Sequence, residues 1–439
     1  MDTQLSNRIK AITTEPIIIP RSEHTISRGD ISEAALKVLY RLHKAGYAAY
    51  LVGGSVRDLL LGHHPKDFDV ATDATPEEIK KIFNNCRLIG RRFRLAHIHF
   101  GREIIEVATF RAGHEQGEGE GVIENGLIVR DNVFGSLEDD AWRRDFTVNA
   151  LYYNIDDFSV VDYTSGLADL KAGVLRIIGD AETRFLEDPV RMLRAARFAA
   201  KLGFQLDSGM SANIHTLADK LCDVPPARLF EEVLKLFHTG HALRSYEVLR
   251  ELNLFGYLFA QTDELLADVD EYTDSFICQA LANTDERIHH GKGVNPAFLF
   301  AAVLWGPVRR MAGLLEEQGM TSLQALQVAG NEILAVQVRQ VSIPKRFSFP
   351  MREIWTAQAR LPRRQGKRAY RMLEQARFRA AYDFLMLRCQ IGESLEDLCY
   401  WWTRFQEMDS AGRAAMLKQL GGPDKGRRRR RRKPKQVQK

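Results

Sequence analysis

The chain is 439 residues long, 45% hydrophobic and 27% charged, with a formal net charge of +5. A chain of this length buries a large core and forms more than one domain. No apolar run approaches the roughly 20 residues a helix needs to cross a bilayer, and the N-terminus lacks a secretory-signal pattern, so a cytoplasmic protein is expected. The five cysteines, Cys86, Cys222, Cys278, Cys389 and Cys399, are odd in number, scattered and without Cys-x-x-Cys spacing, which argues against a disulfide framework or a zinc site. Histidines at 63 and 64, 97 and 99, and 289 and 290 lack the companions and spacing of a metal ligand set.

In chain order, residues 1–28 show no clear periodicity and read as an N-terminal extension, and Ile31 to Ala45 read as a helix. Residues 47–52 are aromatic and aliphatic enough for a short buried strand, which Gly53 and Gly54 break before a helix over Val56 to Leu61. Asp67-Phe-Asp-Val-Ala-Thr72 reads as a strand, and strands alternate with short helices as far as the β-branched run Glu103-Ile-Ile-Glu-Val-Ala-Thr-Phe-Arg111. Gly113-His-Glu-Gln-Gly-Glu-Gly-Glu-Gly121 is too rich in Gly and Glu for an element and is expected to be a mobile loop between strand and helix. From about residue 175 the pattern is helical. Arg228 to Phe237 and Ala297 to Leu304 carry apolar stripes at helical spacing, read as packing surfaces and not as cofactor sites. No internal repeat is evident.

The chemistry concentrates in short segments. In Tyr50-Leu-Val-Gly-Gly-Ser-Val-Arg-Asp58 a strand, a Gly-Gly turn and a helix start let backbone N–H groups approach an anion, and Arg57 adds a fixed charge for phosphate oxygens. Asp67 and Asp69, two apart on a strand, point both carboxylates one way and Phe68 the other, a pair able to hold Mg²⁺. Either feature alone is commonplace; their coupling at short range suggests nucleotidyl transfer. In Arg143-Arg-Asp-Phe-Thr-Val-Asn-Ala150 the carboxylate can accept from sugar hydroxyls while the arginines donate to phosphate or sugar. In Glu187-Asp-Pro-Val-Arg-Met-Leu-Arg-Ala-Ala-Arg197, Pro189 fits a first helical turn with Asp188 as its cap. Asp188, Arg191, Arg194 and Arg197 recur along one side while Val190, Leu193 and Phe198 face inward.

Gly53-Gly-Ser-Val-Arg-Asp58 with Asp67-Phe-Asp69 resembles the signature of the class II nucleotidyltransferases. These comprise tRNA CCA-adding enzymes and bacterial poly(A) polymerases, built on a DNA polymerase beta type of catalytic domain. The resemblance implies an α+β chain: a nucleotidyltransferase head over 29–175, a helical neck with a base-recognition helix over 176–245, a helical RNA-binding body over 246–420 and a disordered basic tail over 421–439. It implies catalytic roles for Asp67, Asp69 and Asp145, and nucleotide contacts from Gly53, Gly54, Ser55, Arg57, Arg144, Asp145, Asp188, Arg191 and Arg194. The 143–150 segment resembles the family's ribose-recognising segment, and the 187–197 segment its base-reading helix. For adenine, Asp188 would accept from the exocyclic amine and Arg191 would donate to the ring nitrogen. Two Mg²⁺ ions, or Mn²⁺ in their place, are implied at Asp67 and Asp69, with ATP as substrate. Glu106 is the candidate third carboxylate; the competing reading pairs it with Arg92 or Arg94.

Within the family, Leu88-Ile-Gly-Arg-Arg-Phe-Arg-Leu-Ala-His97 resembles a segment characteristic of bacterial poly(A) polymerases, and a basic tail is typical of them. The expected activity is therefore template-independent addition of AMP to RNA 3′ ends. A tRNA CCA-adding enzyme and a catalytically silent RNA-binding protein are the alternatives. Residues 425–439 hold six arginines and four lysines with no acid, which leaves the preceding 424 residues at −5. Arg427, Arg428, Arg429, Arg430, Arg431, Arg432, Lys433 and Lys435 cannot bury apolar surface and should attract phosphate backbones without sequence preference. A solubilising tail or a membrane-surface tether is the other reading. Ile343-Pro-Lys-Arg346 and Arg363-Arg-Gln-Gly-Lys-Arg368 either line an RNA path or form a solvated face. The implied partners are RNA 3′ ends of messenger, regulatory and decay-intermediate RNA, with RNA-decay machinery or an RNA chaperone as a protein partner of a monomer.

Overall fold

The β-branched and aromatic runs of the first half of the chain assemble into one eight-stranded mixed sheet in a computed structural model that describes residues 15–90, 94–112, 118–124 and 127–420, with 118–124 and 127–132 described by backbone alone. The tail cations Arg427 to Arg432, Lys433 and Lys435 lie outside the described residues, as does Arg92. In chain order the strands of this sheet and of a separate hairpin are β1 (Ile17–Ile19), β2 (Ala49–Val52), β3 (Asp69–Thr72), β4 (Cys86–Ile89), β5 (Leu95–Phe100), β6 (Glu103–Thr109), β7 (Glu118–Glu124), β8 (Leu127–Phe134), β9 (Leu151–Asn154) and β10 (Val160–Asp162), with a further short parallel pair, Val174–Leu175 and Gln205–Leu206. The sheet runs β1-β10-β9-β2-β3-β6-β5-β4, and β7 pairs with β8 in a separate antiparallel hairpin. Within the sheet β3 and β6 are parallel and every other pairing is antiparallel.

Two of these strands depart from the sequence reading. Ile17-Ile18-Ile19, between Pro16 and Pro20, adds an edge strand from a segment expected to be an extension, because three residues are too few to show a period. Residues 118–121, expected in a loop, belong to β7; cross-strand pairing with β8 supplies the order that Gly and Glu propensities do not. Residues 113–117 of that expected loop lie outside the described residues.

Helix α1 (Glu33–Lys44) is capped by Ser32, whose Oγ accepts from the Ala35 N–H, and buries Ala35, Val38, Leu39 and Leu42 against the sheet. Helix α2 (Gly54–Leu60) starts two residues earlier than expected, directly at the second glycine. Helix α3 (Pro76–Ile82) opens on a Thr75–Glu78 capping box and α4 (Leu137–Arg143) on a Ser136–Asp139 one. A 3₁₀ turn over Thr147–Asn149 follows, held by buried Phe146 and Val148. Helix α5 (Gly166–Ala172) sits on that turn so closely that a Cβ on Gly166 would lie 2.2 Å from the Thr147 carbonyl oxygen. Helix α6 (Ala181–Glu187), capped by Asp180, leads into α7 (Val190–Leu202). Pro189 itself occupies the N-cap of α7, so Asp188 stands one place before the position expected for it. Val190, Leu193 and Phe198 are buried, as their spacing requires.

The described residues divide into two compact units between Leu221 and Cys222. The second is helical throughout its described length, with helices that include Pro226–Phe237, Glu271–His289, Pro296–Val303, Lys345–Gln358, Phe378–Gln390 and Glu396–Glu407. The apolar stripes of Pro226–Phe237 and Pro296–Val303 are buried. Trp355 and Trp402 anchor this unit, their indole N–H groups donating to the carbonyls of Ala301 and Leu361 at 3.0 Å. All five cysteines are free. Among the described residues no single helix is long and apolar enough to cross a membrane.

Replacing Gly166 by alanine forces a methyl group into the Thr147 carbonyl. The expected cost is about 1–3 kcal/mol, as for other overpacked sites, and thermal unfolding measures it. An unchanged Tm would contradict the close approach of α5 to the 147–149 turn.

Candidate active site

The turn after β2 is built by Gly53, whose φ of 74° and ψ of −135° suit glycine and no other residue. Two neighbours expected to face an anion are instead turned inward. Ser55 is buried and its hydroxyl donates to the Val52 carbonyl at 3.0 Å. Arg57 is 1% exposed. Its Nε and Nη2 donate to Asp58 at 2.8 and 2.6 Å, its Nη1 donates to Asn149 Oδ1 at 2.6 Å, and its guanidinium lies 5.4 Å from the Phe198 ring centre. A buried guanidinium needs such partners, so Arg57 braces the turn from below and does not reach across it. The cation that flanks Gly53 is Arg144, whose Nη1 lies 3.6 Å from the place a Gly53 Cβ would occupy.

Asp69 opens β3 and faces Glu106 directly across the parallel β3–β6 pair. Asp67 precedes the strand and is exposed, while Phe68 between them is buried. Glu106 also faces His97 on β5, whose Nε2 lies 3.3 Å from Oε2. Of the two arginines considered as partners for Glu106, Arg94 donates to Glu77. Asp69 is reached by solvent yet surrounded at longer range by protein, and its carboxyl is pushed up to about 6. Burial is the leading cause, followed by repulsion from Glu106; Arg144 opposes both, and Asp67 adds to the rise. Beside these groups a recess of about 290 Å³ is lined by Glu106, Arg111, Asp140, Arg143 and Arg144. A larger cavity, about 530 Å³, lies in the second unit and contains none of these groups.

Arg144 is held in place by a buried network. Its Nε and Nη2 donate to Asp140 at 3.1 and 2.9 Å, and the Tyr152 hydroxyl donates to the same carboxylate at 2.7 Å. Burial alone would raise the Asp140 carboxyl, but Arg144 and the Tyr152 hydroxyl outweigh it and hold it below its usual range. Asp145, expected on the sugar hydroxyls, has both oxygens occupied inside the protein. One accepts from the Phe146 N–H at 2.9 Å and from Asn149 Nδ2 at 3.5 Å; the other accepts from Nε of Arg194 at 2.8 Å and also from its Nη2. Its carboxyl stays below the usual range because Arg194 and these donors outweigh burial. Asp145 therefore positions α7 in this structure and does not present a free acceptor. Asn149, which links Arg57 to Asp145, was missed by residue-type reasoning, as were Asp140 and Tyr152. Of these only Asp140, four residues before Arg144, carries a spacing signal.

Helices α6 and α7 are tied to the same segment. Arg184 Nη2 donates to the carbonyls of Arg143 and Arg144, at 2.7 Å each. Arg191 Nη1 donates to the Arg184 carbonyl at 2.6 Å and to Glu187 at 2.7 Å, which anchors one edge of its guanidinium and leaves Nε and Nη2 for another acceptor. Asp188 accepts from the Val190 N–H at 3.3 Å.

Residues 49–176 match the poly A polymerase head domain, 203–266 the probable RNA- and SrmB-binding site of polymerase A, and 318–436 the arginine-rich C-terminus of polymerase A. Poly(A) polymerase I of Salmonella typhimurium is 52% identical over 421 residues, 94% of this chain and 90% of that one. The chain belongs to the poly(A) polymerase family. A CC-adding tRNA nucleotidyltransferase of Halalkalibacterium halodurans is 35% identical over 229 residues, 52% of this chain and 55% of that one. The Bacillus stearothermophilus CCA-adding enzyme in complex with CTP shares the fold, with a TM-score of 0.60 at 24% identity over 87% of this chain and 83% of that chain. Members of the poly(A) polymerase family are nucleotidyltransferases, and the architecture is the expected one of a mixed-sheet head and a helical remainder.

Among the described residues no three His, Cys, Asp or Glu side chains already converge as a metal cage. The donor set nevertheless fits a hard divalent cation: Asp67, Asp69 and Glu106 offer oxygen ligands, and the Asp69 carboxyl is raised first by burial and then by the neighbouring Glu106 charge. The folded state holds the Asp69 proton more tightly than the unfolded chain, whose value is near 3.8. Stability from this group is therefore present at low pH and falls as pH rises from about 4 through about 6. Asp69→Asn, which mimics the protonated form, should raise the Tm of metal-free protein at pH 7, with the gain vanishing near pH 4. Equal Tm values for wild type and variant at pH 7 would contradict the charge crowding.

Proposed function

We infer that this protein is a template-independent polynucleotide adenylyltransferase, joining AMP from ATP to RNA 3′ ends with release of pyrophosphate. The observation that carries the reading is the Asp69–Glu106 pair in register across β3 and β6, beside the Gly53 turn and Arg144. Two Mg²⁺ ions, or Mn²⁺, held by Asp67, Asp69 and Glu106 would activate the RNA 3′ hydroxyl and neutralise the departing pyrophosphate. The Gly53-Gly54 backbone and Arg144, with Arg143 and Arg111 along the recess, receive the triphosphate; Asp140 and Tyr152 keep Arg144 charged and aimed there. Asp188 and the unanchored edge of Arg191 read the base, while Arg194 and Asp145 fix the pitch of α7. The cationic tail grips RNA of any sequence by counterion release.

Polyadenylation of messenger, regulatory and decay-intermediate RNA in the cytoplasm is the proposed setting, with RNA-decay machinery or an RNA chaperone as partner and a monomer as the working form. The tRNA CCA-adding alternative is not favoured, since likeness to the CC-adding enzyme extends over about half the chain.

Asp67→Ala or Asp69→Ala should abolish AMP addition in an ATP extension assay and leave RNA binding nearly intact. Extension within a few-fold of wild type by both variants would end the carboxylate assignment. Asp188→Ala and Arg191→Ala each remove one base contact, a loss of about 1–3 kcal/mol in discrimination for ATP. Wild-type nucleotide preference in both variants under competition would overturn the base-reading roles.

A further inference from the structure

The cavity of about 530 Å³ in the second unit belongs to no part of the site described above. It lies where helices Glu271–His289, Pro296–Val303, Lys345–Gln358 and Phe378–Gln390 meet. Ala280, Ala297, Ala376 and Ala380 are among the residues that line it, and side chains this small leave space that close packing would otherwise fill. Pro350, inside its helix, lines the same space. Its volume falls in the range of about 300–1,000 Å³ typical of small-ligand pockets, and its walls have the usual mixture of apolar floor and a few convergent polar groups.

The chemistry of the walls is selective. Phe298 and Met386, both half-buried, line the cavity and offer an aromatic and a polarisable side chain. Arg287, Arg377 and Arg379 are exposed at the rim. Each uses one nitrogen on the protein: Arg287 Nη2 on the Gly293 carbonyl at 3.3 Å, Arg377 Nε towards Glu353 at 3.6 Å, and Arg379 Nε on Asp383 at 2.9 Å. Their remaining N–H groups form forks suited to phosphate oxygens. On the wall, Asn283 and Gln390 share a hydrogen bond of 3.3 Å from Asn283 Nδ2 to Gln390 Oε1, which leaves the Gln390 amide N–H₂ as a donor for a heterocycle edge.

We propose that this cavity is a second nucleotide site, distinct from the head, which takes one nucleotide with its base against Phe298 and Met386 and its phosphate at Arg287, Arg377 and Arg379. A free nucleoside phosphate and a nucleotide of the RNA strand share this chemistry; the choice of RNA as a source rests on the adenylyltransferase reading. A base held on an aromatic surface adds to the affinity of a short strand, and losing it weakens binding by about tenfold.

Full-length protein tests this with two variants, Ala380→Trp to fill the cavity and Arg377→Glu with Arg379→Glu to reverse the rim charge. The probes are fluorescent oligo(A) and AMP alone, with Tm as the control for folding and moderate salt to suppress sequence-blind phosphate contacts. Weaker oligo(A) binding by about tenfold, with AMP stoichiometry unchanged, supports the site with the strand as its source. Loss of one bound AMP equivalent together with weaker oligo(A) binding supports it with the free nucleotide as source. Wild-type affinity for oligo(A) and wild-type AMP stoichiometry in both variants overturn the proposal. If Ala380→Trp fails to fold, the rim variant, built on exposed side chains, decides alone. Failure of the adenylyltransferase reading would appear separately, as no AMP incorporation by wild-type protein.

Discussion

One backbone pairing governs the head. Because β3 and β6 run parallel in register, Asp69 and Glu106 stand opposite each other in the sheet. Burial raises the Asp69 carboxyl, and the Glu106 charge raises it further. Such an arrangement costs stability in the absence of a cation and is retained where a cation or a cationic substrate complex offsets it. Arg144 opposes the rise, and it is held in its own network with Asp140 and Tyr152.

That fixed arginine connects the sheet to the helices that follow. Arg184 donates to the carbonyls of Arg143 and Arg144, Arg194 holds Asp145, and Asn149 joins Asp145 to Arg57 beneath the glycine turn. The chain of bonds runs from the Gly53 turn to the helix that carries Arg191. Asn149 and Arg184 are thus positioning residues of the candidate site, bonded to Arg57, Asp145 and the carbonyls of Arg143 and Arg144.

Much of this was legible in the residues. The coupling of Gly53-Gly54 with Asp67 and Asp69 pointed to the candidate site, because a positive φ and paired carboxylates each demand particular residue types. Glu106 was reachable from strand pattern alone, although only the register placed it across from Asp69. What remained hidden were the directions of polar side chains. Arg57, Ser55 and Asp145 have residue types that suit a phosphate or a ribose, and all three are turned to protein partners, since a buried donor or acceptor takes the nearest complement and sequence spacing does not record which one that is. The β7–β8 hairpin was missed for a related reason: strand pairing overrode the low strand propensity of Gly and Glu.

The most direct test of the account is the composition of the product made by wild-type protein given divalent metal, all four nucleoside triphosphates and RNAs of unrelated sequence. Long runs of A on each RNA are predicted, because in the proposed reading Asp188 and Arg191 select the base, and neither the glycine turn nor the carboxylate pair would depend on RNA sequence. Addition of C, C and A followed by a stop, confined to tRNA lacking its 3′ end, would contradict it.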